Sequence, residues 1–121
     1  MRPPIILKSD EVLIFKTVSD AERHFEPADY FDQDLKAYDS EGLLLELKSP
    51  DAKKTRILGV TCFSGTNVRL SAGDSDASHI QALKAILRDL LERYNVDPLW
   101  LHEASLRELL GKSIEHVGFS T

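Results

Sequence analysis

Few side chains in this sequence are suited to covalent or acid–base chemistry. They are one cysteine, Cys62, and four histidines, His24, His79, His102 and His116. A nucleophilic cysteine needs exposure, a neighbouring base and a site for the developing oxyanion. Cys62 lies inside Arg56 to Phe63 (RILGVTCF), the most apolar run in the chain, and so reads as a buried structural thiol. No histidine stands three or four residues from another, so a metal site would have to assemble from distant parts of the chain. His79 stands near Asp74 and Asp76, and this trio reads as a capped helix start. Asp29, Asp32 and Asp34 are near enough in sequence to hold a hard cation, but the EF-hand spacing is absent. Ser64-Gly65-Thr66 lacks both the spacing and the lysine of a phosphate-cradling loop. The sequence therefore predicts no catalytic residue, no metal and no cofactor. An enzyme would have to centre on the His79 region.

What stands out instead is a segment of concentrated charge. Asp20 to Glu41 (DAERHFEPADYFDQDLKAYDSE) holds eight carboxylates and two cations, a net −6, while the whole chain is −5. Everything outside it sums to +1. The same segment holds Phe25, Tyr30, Phe31 and Tyr38, four of the nine aromatics. Asp20 and Glu22 suit the positive end of a helix dipole, and Asp39 suits the first position of a turn. Neither a helix nor a turn accounts for the acids in the middle. Carboxylates there would steer and pair with a basic partner, while an aromatic anchors the contact. The expected binding residues are Glu26, Asp29, Tyr30, Phe31, Asp32 and Asp34.

The totals narrow the class. A chain of 121 residues, 42% hydrophobic and 29% charged, is long enough for one domain with its own core. An acidic balance disfavours binding to a phosphate backbone. The start, MRPPIILKSDE, has three consecutive apolar residues before Lys8, too few for a signal-peptide core. No apolar run reaches the roughly 18 residues of a membrane span. The expectation is a cytoplasmic domain with neither a nucleic-acid nor a membrane partner.

The elements that must position these residues follow from periodicity. After an extended start at Pro3-Pro4, Glu11 to Val18 reads as a buried strand. Ser19 with Glu22 has the capping-box spacing of a short helix ended by Pro27, with Ala21 and Phe25 facing the core. Residues 28–34 have no period and read as a loop. Leu35 to Asp39 and Leu43 to Lys48 form a hairpin about the turn Asp39-Ser40-Glu41-Gly42. After a turn at Ser49-Pro50-Asp51-Ala52, Arg56 to Phe63 is the expected central strand, covered on both faces. A turn at 64–67 leads to a half-exposed strand carrying Val68, Leu70 and Ala72. Ile80, Leu83, Ile86, Leu87, Leu90, Leu91 and Tyr94 then mark a long amphipathic helix. Residues 98–102 are ambiguous. Ser105 and Glu108 cap a short helix ended by Gly111, and Ile114, Val117 and Phe119 suggest a packed, extended end. The predicted fold class is α+β: an antiparallel meander sheet of about five strands, its helices segregated to one side, with a short N-terminal helix and a long amphipathic C-terminal helix packed on one face.

Asp20-Ala21-Glu22, Glu26-Pro27, Asp29 and Tyr38-Asp39-Ser40-Glu41-Gly42-Leu43-Leu44 resemble a pattern in small acidic bacterial immunity proteins, encoded beside polymorphic toxins of the Rhs and contact-dependent inhibition type. The resemblance covers roughly the first half of the chain. It implies stoichiometric neutralisation of a cognate toxin domain, without catalysis, and carries over no individual functional residue. Two other classes stay open: an accessory domain binding a small molecule or another subunit, and the enzyme centred on His79.

Overall fold

The computed structural model describes residues 1–65 and 67–120. Thr66, in the turn expected at 64–67, lies outside them. Five antiparallel strands form one sheet in the order β2-β1-β3-β4-β7: β1 Ile5–Lys8, β2 Val12–Phe15, β3 Lys36–Tyr38, β4 Leu44–Lys48 and β7 Arg69–Ala72. The α+β class and the five-stranded antiparallel sheet are as predicted. The membership of the sheet is not. The extended start contains β1, which pairs with β2 through Ile6↔Ile14 and with β3 through Ile6↔Tyr38. Ile5 and Ile6 are fully buried and Leu7 nearly so. An interior strand covered on both faces shows an apolar run without alternation, and three residues of such a run are too short to stand out in a sequence.

Alternation across the pleat divides the core in two. Ile6, Ile14 and Tyr38 face Leu83, Leu87, Leu91 and Leu109. These come from α2 (Ala77–Glu92) and α4 (Leu106–Val117). Ile5, Leu7, Phe15, Ala37, Leu45 and Leu70 point the other way and pack with Ala21 of α1 (Val18–His24). The long helix thus lies on one face as expected, but the helices are not segregated to one side: the short N-terminal helix covers the opposite face, where Ile5, Leu7 and Phe15 also need burial.

The N-cap of α1 is Thr17, whose Oγ1 accepts from the Asp20 amide at 3.1 Å, rather than Ser19. Strand β2 ends at Phe15, so the helix begins earlier and takes in Val18. Glu22 is thereby released from the capping box. Its Oε2 accepts from the Leu70 amide at 2.8 Å, and its Oε1 lies 3.5 Å from Arg69. It thus occupies the open edge of β7. At the opposite edge, the Ser120 amide donates to the Ile14 carbonyl at 2.7 Å. Ala21 faces the core, while Phe25 caps the helix and is partly buried.

The expected central strand does not exist. RILGVTCF breaks at Leu58 and Gly59, whose φ values of 51° and 81° make a two-residue turn. β5 (Lys53–Ile57) and β6 (Val60–Ser64) pair only with each other, from Ile57↔Val60 to Lys53↔Ser64. All ten residues are exposed. An apolar run counted across a glycine gives a strand of the wrong length, and the lysines before it could not have been covered.

Asp76 caps α2, accepting from the Ser78 amide at 2.8 Å. The ambiguous stretch is α3 (Pro98–Glu103), capped by Asp97. Ser105 and Glu108 make the predicted capping box, but Gly111 does not end α4. The helix continues because Leu110, Ile114 and Val117 prolong its apolar stripe, and it stops at Gly118, with φ of 69°. Val117 is therefore helical rather than extended. Among the described residues no helix is long and apolar enough to cross a membrane.

Candidate docking surface

Glu26, Asp29, Tyr30, Phe31, Asp32 and Asp34 fall on and beside a short 3-10 helix, Pro27–Phe31, where a loop was expected. Pro27 fits its first turn, since proline lacks the amide that would be unpaired there. The turn is held by its own acids. Asp29 Oδ2 accepts from the Glu26 amide at 2.8 Å, and Asp32 Oδ1 accepts from the Asp34 amide at 2.9 Å. Asp29 and Asp32 therefore have local structural roles that the sequence reading denied them.

Those roles leave the charge uncompensated, and this separates the eight acids into two groups. Asp20 pairs with Arg23, Glu22 with Arg69, and Glu41 with Arg2 at 3.3 Å. Asp39 is buried and accepts from three backbone amides, those of Arg2, Glu41 and Leu43, at 2.9–3.0 Å. Among the described residues, none of the remaining four, Glu26, Asp29, Asp32 and Asp34, forms an ion pair. Residues 26–34 thus carry −4 with no lysine or arginine between them.

The aromatics sort in the same way. Tyr38 is in the core, where burial pushes its hydroxyl pKa up. Tyr30 is 41% exposed and stands edge-on to Phe31, with ring centroids 5.1 Å apart. Phe31 in turn lies 5.7 Å from Phe63 of the projecting hairpin. Beside Tyr30 a groove of about 380 Å³ is lined by Asp29, Asp32, Leu35, Lys36 and Lys48 among others. The Glu46 carboxylate, 2.9 Å from the Lys48 amine, holds that amine above its usual pKa.

The hairpin is the feature that sequence reasoning missed. Its tip displays Ile57, Leu58 and Val60, with Leu58 99% exposed, and Lys53, Lys54 and Arg56 stand behind them. Leu-Gly between β-branched residues is the signal that could have revealed it. Cys62 lies on this hairpin and is exposed, so the buried structural thiol is a misassignment.

The other chemical groups have simple settings. His79 Nε2 lies 2.9 Å from Asp74 Oδ2, and that hydrogen bond holds the Asp74 carboxyl below its ordinary pKa. Asp74 and Asp76 also accept from the amides of Asp76 and Ser78, so the cluster forms a surface helix start. Among the described residues, no three His, Cys, Asp or Glu side chains converge as metal ligands. Tyr94, Trp100, Lys112 and His116 help line a separate notch of about 490 Å³. There Tyr94 stacks on His116 at 4.9 Å. No protein-family model, curated protein or solved structure matches this chain.

Proposed function

We propose that this chain works by binding, and that the face formed by Glu26, Asp29, Tyr30, Phe31, Asp32 and Asp34 docks a basic protein. One observation carries this: four carboxylates without ion-pair partners surround an exposed tyrosine on a turn that its own hydrogen bonds hold in shape. Exposed acids accelerate encounter with a basic surface, and a preorganised turn lowers the ordering cost of the bound state. Tyr30 is the anchor, a residue type whose truncation at an interface can cost about 2 kcal/mol or more.

The specific form proposed is the one implied by the resemblance to immunity proteins: neutralisation of a cognate bacterial toxin by stoichiometric binding in the cytoplasm of the producing cell. The test is co-expression with the product of the neighbouring gene, followed by pull-down and a viability assay. The decisive variant is Asp29→Asn/Asp32→Asn/Asp34→Asn. Asparagine keeps an acceptor oxygen for each local hydrogen bond and removes the charge. The expected result is a folded protein whose association is slower by about tenfold or more at low salt, with a weakened salt dependence. Full protection by this variant, or an on-rate in the parent protein indifferent to ionic strength, would place the docking face elsewhere.

A further inference from the structure

The hairpin and the acidic turn adjoin and are opposite in character. Residues 53–64 contain Lys53, Lys54 and Arg56 and no acid, a charge of +3. Residues 26–34 carry −4, and the rings of Phe31 and Phe63 join the two segments. Yet among the described residues no ion pair links them. Among the described residues, five of the nine exposed large apolar side chains gather on these two segments: Tyr30, Ile57, Leu58, Val60 and Phe63. The rest are scattered, so this is the principal apolar patch.

The tip itself calls for a cover. In a two-residue turn with both φ positive, the first position favours Asn, Asp or Gly. Here it holds leucine, at φ 51° and fully exposed. A two-stranded hairpin with neither face packed is marginal in water. Near the base of this one, Phe63 packs on Phe31, while its tip touches no ring of the domain among the described residues. Lys53 and Lys54 on β5 blunt that edge against strand addition, so an occupant would meet the tip and a face rather than extend the sheet.

We infer that the occupant is a second copy of this chain. In a two-fold dimer the hairpin of each copy lies against the Glu26–Asp34 turn of the other. Adjoining patches of opposite sign are what a two-fold axis converts into two identical contacts. Lys53, Lys54 and Arg56 then meet four acids that form no ion pair among the described residues, and the tip covers Tyr30 and Phe31 of the second copy. An anionic bilayer would also attract an apolar tip backed by cations. The remainder of the chain, however, carries −8 (−5 less +3) and would be repelled by it. The dimer uses the same face as the basic-partner reading without depending on it: it is measured on this chain alone, and toxin protection is measured separately.

Sedimentation velocity and light scattering over a concentration series, with reductant present so that Cys62 forms no covalent link, test this directly. The parent chain is expected to dimerise, and to dissociate as ionic strength rises. Leu58→Asn should weaken the dimer about a hundredfold, since each of two tips loses a leucine burial equivalent to at least a factor of ten. Lys53→Glu/Lys54→Glu/Arg56→Glu should be monomeric, as should Glu26→Lys/Asp32→Lys/Asp34→Lys, which keeps the Asp29 bond. An equimolar mixture of the two should form a heterodimer. Circular dichroism checks folding. If the acidic-turn variant does not fold, the hairpin variant, altered only at exposed residues, decides with the salt series. A parent chain monomeric at every concentration, a hairpin variant that dimerises like the parent, or a mixture of two folded monomers that stays monomeric would overturn the inference. So would a monomer that binds phosphatidylserine vesicles, which would assign the hairpin to a lipid surface.

Discussion

Asp39→Ala tests the separation of structural from recognition acids most severely. Asp39 is 2% exposed, and its two oxygens accept from the amides of Arg2 at 3.0 Å and of Glu41 and Leu43 at 2.9 Å. These bonds tie the N-terminal segment to the β3–β4 turn. Hydrogen bonds to a charged group contribute about 1.5–3 kcal/mol each where water cannot substitute. Arg2 and Glu41 lie at the surface, so water can replace the aspartate at their amides, whereas the partly buried Leu43 amide is left poorly satisfied. The expected loss is therefore about 3 kcal/mol rather than three full bonds. Unfolding entropy of about 2.1 cal/mol/K per residue over this length turns that into a fall in Tm of about 12 °C. Urea titration followed by tryptophan fluorescence and circular dichroism measures it, with an unchanged m value showing that the change lies in stability. A loss under about 1 kcal/mol would refute the reasoning, because it would mean that the three bonds are replaceable by solvent. The Asp29/Asp32/Asp34 asparagine variant should show the opposite profile, stable but deficient in binding.

Acidification should loosen the helix starts. The carboxyls of Asp74 and Asp76 at α2 and Glu108 at α4 are held below their ordinary pKa by hydrogen bonds from His79, Ser78 and Ser105 respectively. Their stabilisation is present above the unfolded carboxylate range near pH 4 and is lost as pH falls through the lower folded values. Asp76→Asn should flatten the acid side of a stability-versus-pH curve, and an identical curve would count against the assignment. Gly42→Ala should destabilise by about 2 kcal/mol or more, since φ is 86° and the new Cβ would lie 2.7 Å from Ile80 Cγ1. Chemical denaturation checks it. Cys62 should react with a disulfide reagent in the native protein as fast as in the denatured one, and a protected thiol would contradict its exposure.

Much of this protein follows from local rules. The stripe from Ile80 to Leu91, the Ser105–Glu108 capping box and the Asp39–Gly42 turn each depend on residues within four positions of one another, so their physics is complete in the sequence. The acid and aromatic content of residues 20–41 is likewise plain from the sequence. Tertiary structure decided what depends on distant partners. Ile5–Leu7 became an interior strand because β2 and β3 flank it and helices cover both faces, whereas RILGVTCF, richer in apolar residues, found no such neighbours and folded back on itself. Burial belongs to surroundings rather than to a run of residue types. Glu22 illustrates the same point, since its role is set by Leu70, 48 residues away. The division of eight acids into four that are paired or buried and four that are not was decided likewise. Arg2 and Arg69 reach Asp39, Glu41 and Glu22 only once the sheet has formed, and that leaves Glu26, Asp29, Asp32 and Asp34 on the surface beside an oppositely charged hairpin.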